Sequence, residues 1–338
     1  MTSGFHFAID ENADPAQRLA PPSEAERFEG VAFSSAGNLI AVATASGNGV
    51  LLYRQKADGR YEDAPYSRIG EPTCQLRYPH DVAFAACGDG ELLVVAQRGE
   101  VVTIFQINPV NTGHRIDLVQ EISGPEAKLA STDGVALMPP DNRCLAVCNL
   151  ASASINFYQR RSRCPIGFEP IPFFELTHPS LCNPDGLAFS RCGSWLAITN
   201  HGNHSVSIFQ RRNKASAGGE LRYGEEPVTV IQDPRLRYPH SVAFTPWTNH
   251  LVVTNAGASY VNVYPPESDY SGTRWSQSPT LQKRVGRDAT FVRVNAANKM
   301  EGGAKGVAIH KQNLAVCSPE FGVEIYRFDE TVLNHRPY

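Results

Sequence analysis

Six ionisable side chains recur at a nearly constant spacing along the chain. Each lies two residues before a Val-Ala or Leu-Ala pair: Glu29, His80, Asp133, Asp185, His240 and Lys305. Successive members are 51, 53, 52, 55 and 65 residues apart. Asp, Glu, Lys and Arg make up only 19% of the chain, so ionisable residues in six of six copies indicate a shared role.

These residue types are able to hold a metal ion. Imidazoles together with carboxylates are ordinary ligands of Zn²⁺, Mn²⁺ and Fe²⁺, whereas a set dominated by carboxylates and carbonyls suits Ca²⁺. We predict one divalent cation, Ca²⁺, Zn²⁺ or Mn²⁺, held by ligands from this set: Glu29, His80, Asp133, Asp185 and His240. The pattern leaves the identity of the cation open.

The same residues offer acid–base and electrostatic catalysis. A His or a carboxylate that is not a ligand can act as a general base, and Lys305 can neutralise a carboxylate or hold an anionic group. The predicted catalytic residues are His80, Asp133, His240 and Lys305. A structural interpretation exists for Asp133 and Asp185, because Asp before Gly accepts local backbone hydrogen bonds in turns. It does not account for two His, a Glu and a Lys in the same register.

The phrases that carry these residues begin six β-rich units, which start near residues 28, 79, 132, 184, 239 and 304. Each phrase is followed by a turn and two further β-rich runs joined by a polar loop, as in GLAFSRCGSWLAITNHGNHSVSIFQ at 186–210. This is the pattern of an antiparallel meander. Repeats of about 50 residues predict a six-bladed β-propeller of four-stranded antiparallel blades, an all-β single domain over residues 1–338. The innermost strands are expected near 30–34, 81–85, 134–138, 186–190, 241–245 and 306–310.

Two segments depart from the repeat. Residues 1–27 are predicted to close the ring, with FHFAI at 5–9 supplying the outer strand that the sixth unit lacks. The long insertion at 265–304 is predicted to hold an outer strand, ATFVRV at 289–294, and a loop returning to the site face. Glycines 302–303 suggest a flexible rim there. A lid and an ordinary long loop are both compatible with this segment.

A second layer of polar residues follows the second strand of each unit. In a propeller, these loops open on the same face as the starts of the innermost strands. The predicted substrate-binding residues are Arg98, Asn149, Asn200, His201, His204, Asn255 and Tyr260, with Glu320 as a further candidate. Asn and Gly are also common hairpin residues, so the alternative is a purely local role in the turns.

Composition excludes several functions. With a net charge of −3 and a pI of about 6.4, the chain lacks the basic character typical of proteins that bind nucleic acids or anionic membranes. No signal peptide or transmembrane stretch is recognisable. The eight cysteines form no C-x-x-C pair and are predicted to be reduced thiols. We expect a cytoplasmic protein with a small-molecule substrate; a protein partner is possible.

The phrase PDGLAFSRCGSWLAITNHGNHSVSIF at 184–209 and its five relatives resemble the YVTN-type and NHL-repeat propellers and the gluconolactonase-like lactonases. The lactonase resemblance implies a metal held by an opening Glu and later Asn and Asp residues. Glu29 and Asp185 match it, whereas Asp or His replaces the Asn. The similar peptidyl-hydroxyglycine amidating lyases hold zinc by His from three P-H starts on alternate blades, whereas His80 and His240 are only two and lie on opposite blades.

Together these observations predict a metal-dependent hydrolase of a lactone- or ester-type small molecule, acting at the mouth of the central channel. A propeller lyase or cyclase is one alternative. A non-catalytic scaffold that binds a peptide or protein loop is another. Propellers host all of these functions, so the fold does not choose among them.

Overall fold

The computed structural model describes residues 5–23, 26–72, 74–111, 113–161, 166–212, 222–269, 272–286 and 302–332. Almost all regular structure in these ranges is β-strand. The exception is one turn of 3-10 helix at Pro125–Ala127. Among the residues described, no helix has the length and apolarity needed to cross a lipid bilayer.

Six four-stranded antiparallel sheets form the blades of a propeller, as predicted. Their strands, from the channel outward, are as follows. Blade one is β3 (Phe28–Phe33), β4 (Leu39–Thr44), β5 (Gly49–Arg54) and β6 (Ser67–Ile69). Blade two is β7 (Pro79–Cys87), β8 (Gly90–Gln97), β9 (Val101–Val110) and β10 (Gly113–Ile122). Blade three is β11 (Thr132–Leu137), β12 (Cys144–Asn149), β13 (Ser154–Gln159) and β14 (Phe174–Thr177). Blade four is β15 (Pro184–Phe189), β16 (Trp195–Asn200), β17 (Ser205–Gln210) and β18 (Thr229–Ile231). Blade five is β19 (Pro239–Phe244), β20 (Leu251–Asn255), β21 (Tyr260–Tyr264) and β24 (Leu281–Arg284). Blade six is β25 (Val307–His310), β26 (Asn313–Ser318), β27 (Gly322–Arg327) and β2 (Gln17–Leu19).

The hydrophobic core is divided among the blade interfaces. Six clusters of buried apolar residues each join two neighbouring blades. Both faces of a middle strand are therefore covered, and all six residues of β4 and of β12 are buried. This explains why these strands are continuous apolar runs such as LIAVAT and do not alternate between apolar and polar residues. The cysteines among the described residues are free thiols.

An N-terminal strand closes the ring, but it is not the predicted FHFAI segment. β2 pairs with β27 and completes blade six, whereas β1 (Phe5–Ala8) pairs with β28 (Asp329–Val332) in a separate two-stranded sheet. β2 is held by its side chains: Leu19 is buried, Gln17 exchanges two hydrogen bonds with the Tyr61 backbone, and Arg18 donates to Glu324. These anchors outweigh the higher β-propensity of FHFAI.

The insertion in blade five also differs from expectation. A hairpin of β22 (Pro266–Asp269) and β23 (Gly272–Trp275) precedes the outer strand β24. The predicted outer strand at 289–294 lies outside the described residues. The predicted flexible rim at Gly303 is wrong, because its N–H donates to the carbonyl of Ala256 and the residue is buried.

Glycines allow the innermost strands to approach one another beside the ring of ionisable residues. A Cβ on Gly186 would lie 2.4 Å from the His240 carbonyl oxygen, and one on Gly134 would lie 2.2 Å from the Asp185 carbonyl oxygen. The equivalent position in blade five carries Ser241. The glycines are therefore required for space, and they bring the channel walls together at this level.

We expect Gly186→Ala to lower the free energy of unfolding by about 1–3 kcal/mol, because the added methyl group must push two strands apart. Urea denaturation of the purified protein measures this change. Ser241→Ala at the same register is the matched control and should cost less than about 1 kcal/mol. Equal losses in the two variants would contradict the steric explanation.

Candidate functional site

The side chains of the six ionisable residues converge inside the channel. Five of them are the second residue of an innermost strand, and Lys305 lies two residues before β25. The rings of His80 and His240 come from opposite blades and stack with centroids 5.0 Å apart at 24°. Glu29, Asp133 and Asp185 lie within 4 Å of one or both imidazoles. The convergence predicted from the repeat register is confirmed.

Glu29 Oε2 lies at the centre of a group of nitrogen atoms. His240 Nε2 is 3.3 Å away, Lys305 Nζ 3.6 Å and His80 Nε2 3.7 Å. The other oxygen, Oε1, is 2.5 Å from Arg27 Nε. Within the described residues, Glu29 Oε2 and His240 Nε2 are both buried and neither has a hydrogen-bond partner.

The opposite edges of the imidazoles face the two aspartates. Asp185 Oδ1 lies 3.6 Å from His240 Nδ1 and 3.9 Å from His80 Nδ1. Asp133 Oδ1 lies 3.7 Å from His80 Nδ1. Each His therefore has a glutamate oxygen near Nε2 and an aspartate oxygen near Nδ1. In metalloproteins, a carboxylate in the second position fixes the tautomer and orientation of a ligating His.

Two basic residues from the second-strand loops cover this layer. Arg98 donates to both Asp133 oxygens at 2.6 and 3.1 Å. His201 Nδ1 is 3.3 Å from Asp185 Oδ2. Their side chains are 36% and 18% exposed, so they form the solvent-facing surface above the ring. Both were predicted to lie at this face, and they do.

The site predicted at the channel mouth is a closed ring. None of the ring side chains engaged in ion pairs is more than 4% exposed. The cavity between them has a volume of about 10 Å³, which is about the space needed by one water molecule. The glycines beside the ring explain this closure. A water or a metal ion fits between these side chains, and an organic substrate does not.

Charge within the site is balanced. The carboxylates of Glu29, Asp133 and Asp185 are matched by Lys305 and by two arginines, Arg27 and Arg98. The sequence pattern missed Arg27, although it lies on the same segment two residues before Glu29. With both imidazoles neutral, the formal charge of this group is zero.

The pKa values of Asp133 and Glu29 are shifted in opposite directions. Burial raises the pKa of Asp133 to about 7, with a further contribution from Asp185, although Arg98 acts in the opposite direction. Burial also raises the pKa of Asp81, beside His80, to about 7. For Glu29, burial acts upward, but Lys305, His80 and the arginines together lower its pKa.

Both histidines are neutral at physiological pH. Burial lowers the pKa of His80 well below its usual value, and Arg98 adds to this effect. Burial likewise lowers the pKa of His240, although Asp185 opposes it. Neutral imidazole is the form that binds metals. The Glu29–His80–His240 group thus presents one carboxylate oxygen and two imidazole nitrogens within 4.8 Å of one another.

Three of the predicted substrate-binding residues have a structural role instead. Asn149, Asn200 and Asn255 are fully buried at the ends of their second strands. Their side-chain oxygens accept from the backbone N–H groups of Ala130, Cys182 and Arg237, respectively. Their amide groups donate within the same blade. The hairpin alternative considered from the sequence therefore applies to these residues.

The remaining rim candidates lie at the surface. His204 Nδ1 accepts the N–H of Tyr238, and the two rings pack at 4.5 Å. Tyr260 is 38% exposed, and Glu320 is half-buried. Tyr238 also packs against His201 at 4.9 Å, and the equivalent Tyr78 lies under Arg98. Tyr78 and Tyr238 occupy the same position in the two L-R-Y-P-H phrases, so the repeat in the sequence could have identified them.

Two shallow clefts open on this face beside the opposite P-H starts. One, of about 380 Å³, is lined by Arg77, Tyr78 and Arg98 among others. The other, of about 470 Å³, is lined by His204, Arg237 and Tyr238 among others. The exposed arginines make both clefts suitable for an anionic group.

Fold and site together define a six-bladed β-propeller with a buried ring of ionisable residues at one end of its channel. No protein-family model and no curated protein matches the chain. Solved structures with a similar fold include the Cps50 (Swd1) β-propeller domain of Myceliophteria thermophila, with 13% identity, a TM-score of 0.57, and 92% of this chain and 86% of that one covered.

A proposed 6-phosphogluconolactonase from Bacteroides uniformis has 13% identity and a TM-score of 0.56, with 98% and 91% of the two chains covered. A protein from Lactobacillus plantarum has 15% identity and a TM-score of 0.53, with 76% and 71% covered. These similarities confirm the propeller fold inferred from the repeats. At such identities, they carry no conclusion about activity.

Proposed function

We propose that this propeller binds one divalent transition-metal ion through Glu29, His80 and His240 and is a hydrolase of small lactones or esters. The observation that carries the proposal is the pair of buried atoms, Glu29 Oε2 and His240 Nε2, that face a cavity of atomic size without a hydrogen-bond partner among the described residues. In a tetrahedral zinc site with bonds of about 2.0–2.1 Å, ligand atoms stand roughly 3.3–3.4 Å apart. The distances of 3.3 and 3.7 Å from Glu29 Oε2 to the two Nε2 atoms are close to this value.

The predicted ligand set is refined by these contacts. Asp133 and Asp185 lie 3.6–3.9 Å from the Nδ1 atoms of the histidines, so their charge favours the tautomer with the proton on Nδ1 and a free Nε2. A metal ion bound to such a group supplies a Lewis acid and a water of lowered pKa. Asp133, with a pKa of about 7, is suited to accept or return a proton at neutral pH.

Substrate would enter from the face that carries Arg98 and His201. Because the ring is closed, one of these side chains must turn aside before a carbonyl group can reach the centre. Arg77, Arg98 and Arg237 line the adjacent clefts and favour a substrate with a carboxylate or phosphate group. His204 and Tyr260 remain proposed contacts at the rim. The cytoplasmic location also stays a prediction.

A second candidate function is a binding scaffold for a peptide or protein loop. Lys305 Nζ, 3.6 Å from Glu29 Oε2, competes with a cation for the same oxygen, and this observation favours a ring that is only an ion-pair network. In that case, the arginines and tyrosines of the outer face would form the binding surface. Lyase or cyclase chemistry would instead require a base of the ring to remove a proton from the substrate, or a nucleophile of the substrate itself to attack, in place of water.

Metal content and turnover of the untagged protein test the proposal. We expect about one equivalent of zinc, manganese or iron by elemental mass spectrometry, and metal-dependent hydrolysis of some members of a panel of aldonolactones and aryl esters followed with a pH indicator. Chelation should abolish turnover, and one equivalent of the metal should restore it. Protein without bound metal, with no response to added Zn²⁺, Mn²⁺, Fe²⁺ or Ca²⁺ in calorimetry, would favour the scaffold.

A further inference from the structure

A further cavity lies at the opposite end of the channel from the ionisable ring. It has a volume of about 700 Å³, within the range of small-molecule sites. The turns after the innermost strands of blades four, five, six and one form its walls, together with β28. Asp185 and Phe189 are the second and last residues of the same strand, so the two ends are roughly 13 Å apart at about 3.3 Å per residue.

The floor of this cavity is apolar. Phe189, Phe244 and Ile309 line it where β15, β19 and β25 end. Trp247 extends from the turn of blade five and is 58% exposed, the most exposed of the large hydrophobic side chains described. An exposed Trp beside apolar walls indicates a surface that excludes water when a ligand covers it.

Two cations stand on the rim without ion-pair partners among the described residues. The guanidinium carbon of Arg191 lies 3.8 Å from the centroid of the Trp247 ring, so the indole holds this side chain in place by cation–π attraction. Lys311 lines the cavity from the turn of blade six, next to His310. A guanidinium fixed by stacking, with its N–H donors available, is a common recognition element for carboxylate, sulfonate or phosphate groups.

Two residues that line the cavity, Glu330 and His310, also carry buried polar atoms. Glu330 Oε1 accepts from the N–H groups of Trp247 and Thr248 and from the Thr248 hydroxyl. Its other oxygen, Oε2, is buried and has no hydrogen-bond partner within the described residues; the same is true of His310 Nε2. Burial lowers the pKa of His310, and Lys311 adds to this, so the ring is neutral. Buried polar atoms of this kind are normally satisfied by a water or a ligand.

We infer that this cavity is a second ligand site, separate from the ionisable ring, for a small amphipathic anion with a hydrogen-bond donor. The apolar or aromatic body of the ligand lies against Phe189, Phe244 and Ile309. Its anionic group pairs with Arg191 and Lys311, and its donor pairs with the carboxylate of Glu330. The site does not depend on a metal at the ring, so either proposal can fail without the other.

The test uses a pair of fluorescent probes that differ in one charge. 8-Anilinonaphthalene-1-sulfonate has an aromatic body, an N–H donor and a sulfonate, whereas N-phenyl-1-naphthylamine lacks the sulfonate. We expect the sulfonate to bind the folded protein with a stoichiometry of one and to quench Trp247 fluorescence. The double variant Arg191→Gln/Lys311→Gln should weaken sulfonate binding at least fivefold and leave binding of the neutral probe within twofold.

Arg115→Gln is the matched control, because Arg115 is an exposed cation on blade two and its removal should change neither affinity. Trp247→Phe should remove the quenching while binding persists. The double variant and Trp247→Phe alter exposed side chains, and thermal melting confirms that both proteins are folded. Absence of saturable sulfonate binding, several equivalent sites, or affinity unchanged in the double variant would each overturn the inference.

Discussion

Replacing Glu29 by Gln is expected to weaken zinc binding by at least about 100-fold. Loss of an outer-shell partner typically costs 10- to 100-fold in metal affinity, and Glu29 would be a ligand itself. The amide keeps the volume of the side chain but removes the charge on the oxygen nearest His240 Nε2. Isothermal titration calorimetry with Zn²⁺ on chelator-treated protein measures the change.

The same substitution should also destabilise the metal-free protein by about 3 kcal/mol. Glu29 is fully buried between Lys305 and Arg27, and removing one member of a buried ion pair leaves an uncompensated charge. Glu62→Gln is the matched control, because Glu62 pairs with Arg54 at the surface and its loss should cost less than about 1 kcal/mol. If Glu29→Gln lowers stability but wild-type protein binds no metal, the ring is a structural network alone.

Asp133→Asn is expected to raise the free energy of unfolding, whereas Glu29→Gln lowers it. Burial raises the pKa of Asp133 from 3.8 to about 7, so the folded state binds its proton more tightly than the unfolded state does. That contribution to stability is complete below about pH 4 and is lost as the pH rises through 7. Each pKa unit corresponds to about 1.4 kcal/mol. Arg98 and Asp185 can shift and so offset part of the cost of burying the carboxylate. We therefore expect Asp133→Asn to raise the free energy of unfolding by only about 1–2 kcal/mol at pH 8.

The neutral amide imitates the protonated carboxyl group, so the gain should be smaller at pH 5 than at pH 8. Thermal or urea unfolding of wild type and variant at both pH values, with chelator present, measures the difference. Asp81 titrates in the same range but is present in both proteins, so its effect cancels. Zinc affinity of the variant should fall about 10- to 100-fold. A loss of stability at pH 8 would mean that the Arg98 ion pair outweighs the cost of burying the carboxylate.

Much of this architecture could be predicted because the propeller repeats its local pattern. Each phrase of the type PDGLAF begins an innermost strand within two residues of the expected position. The convergence of His80 and His240 followed from their register alone. Because the repeats are arranged around a common axis, these two residues, 160 positions apart in the sequence, have imidazole centroids only 5.0 Å apart.

Features without a repeat were harder to predict. The QRL segment that closes blade six is only three residues long, and its pairing depends on Tyr61 and Glu324, which are distant in sequence. The closure of the ring depends on how closely the glycine-bearing strands approach, a distance that no pattern of residue types gives. The neutralising Arg27 lay outside the aligned register. For Asn149, Asn200 and Asn255, hairpin and ligand-binding roles require the same residue type, and only their hydrogen bonds distinguish them.

Closure of the ring through β2 and β27 also has a consequence for biosynthesis. Arg18 and its partner Glu324 are separated by 306 positions, and translation at 5–20 residues per second takes roughly 15–60 s to cover that distance. During this time, the nascent chain can stack its first blades in order, but β2 has no strand to join. Ribosomes that stop early therefore release an open ring with an exposed sheet edge, a natural substrate for chaperones and proteases. The ring of this protein therefore closes only after the last blade has been synthesised.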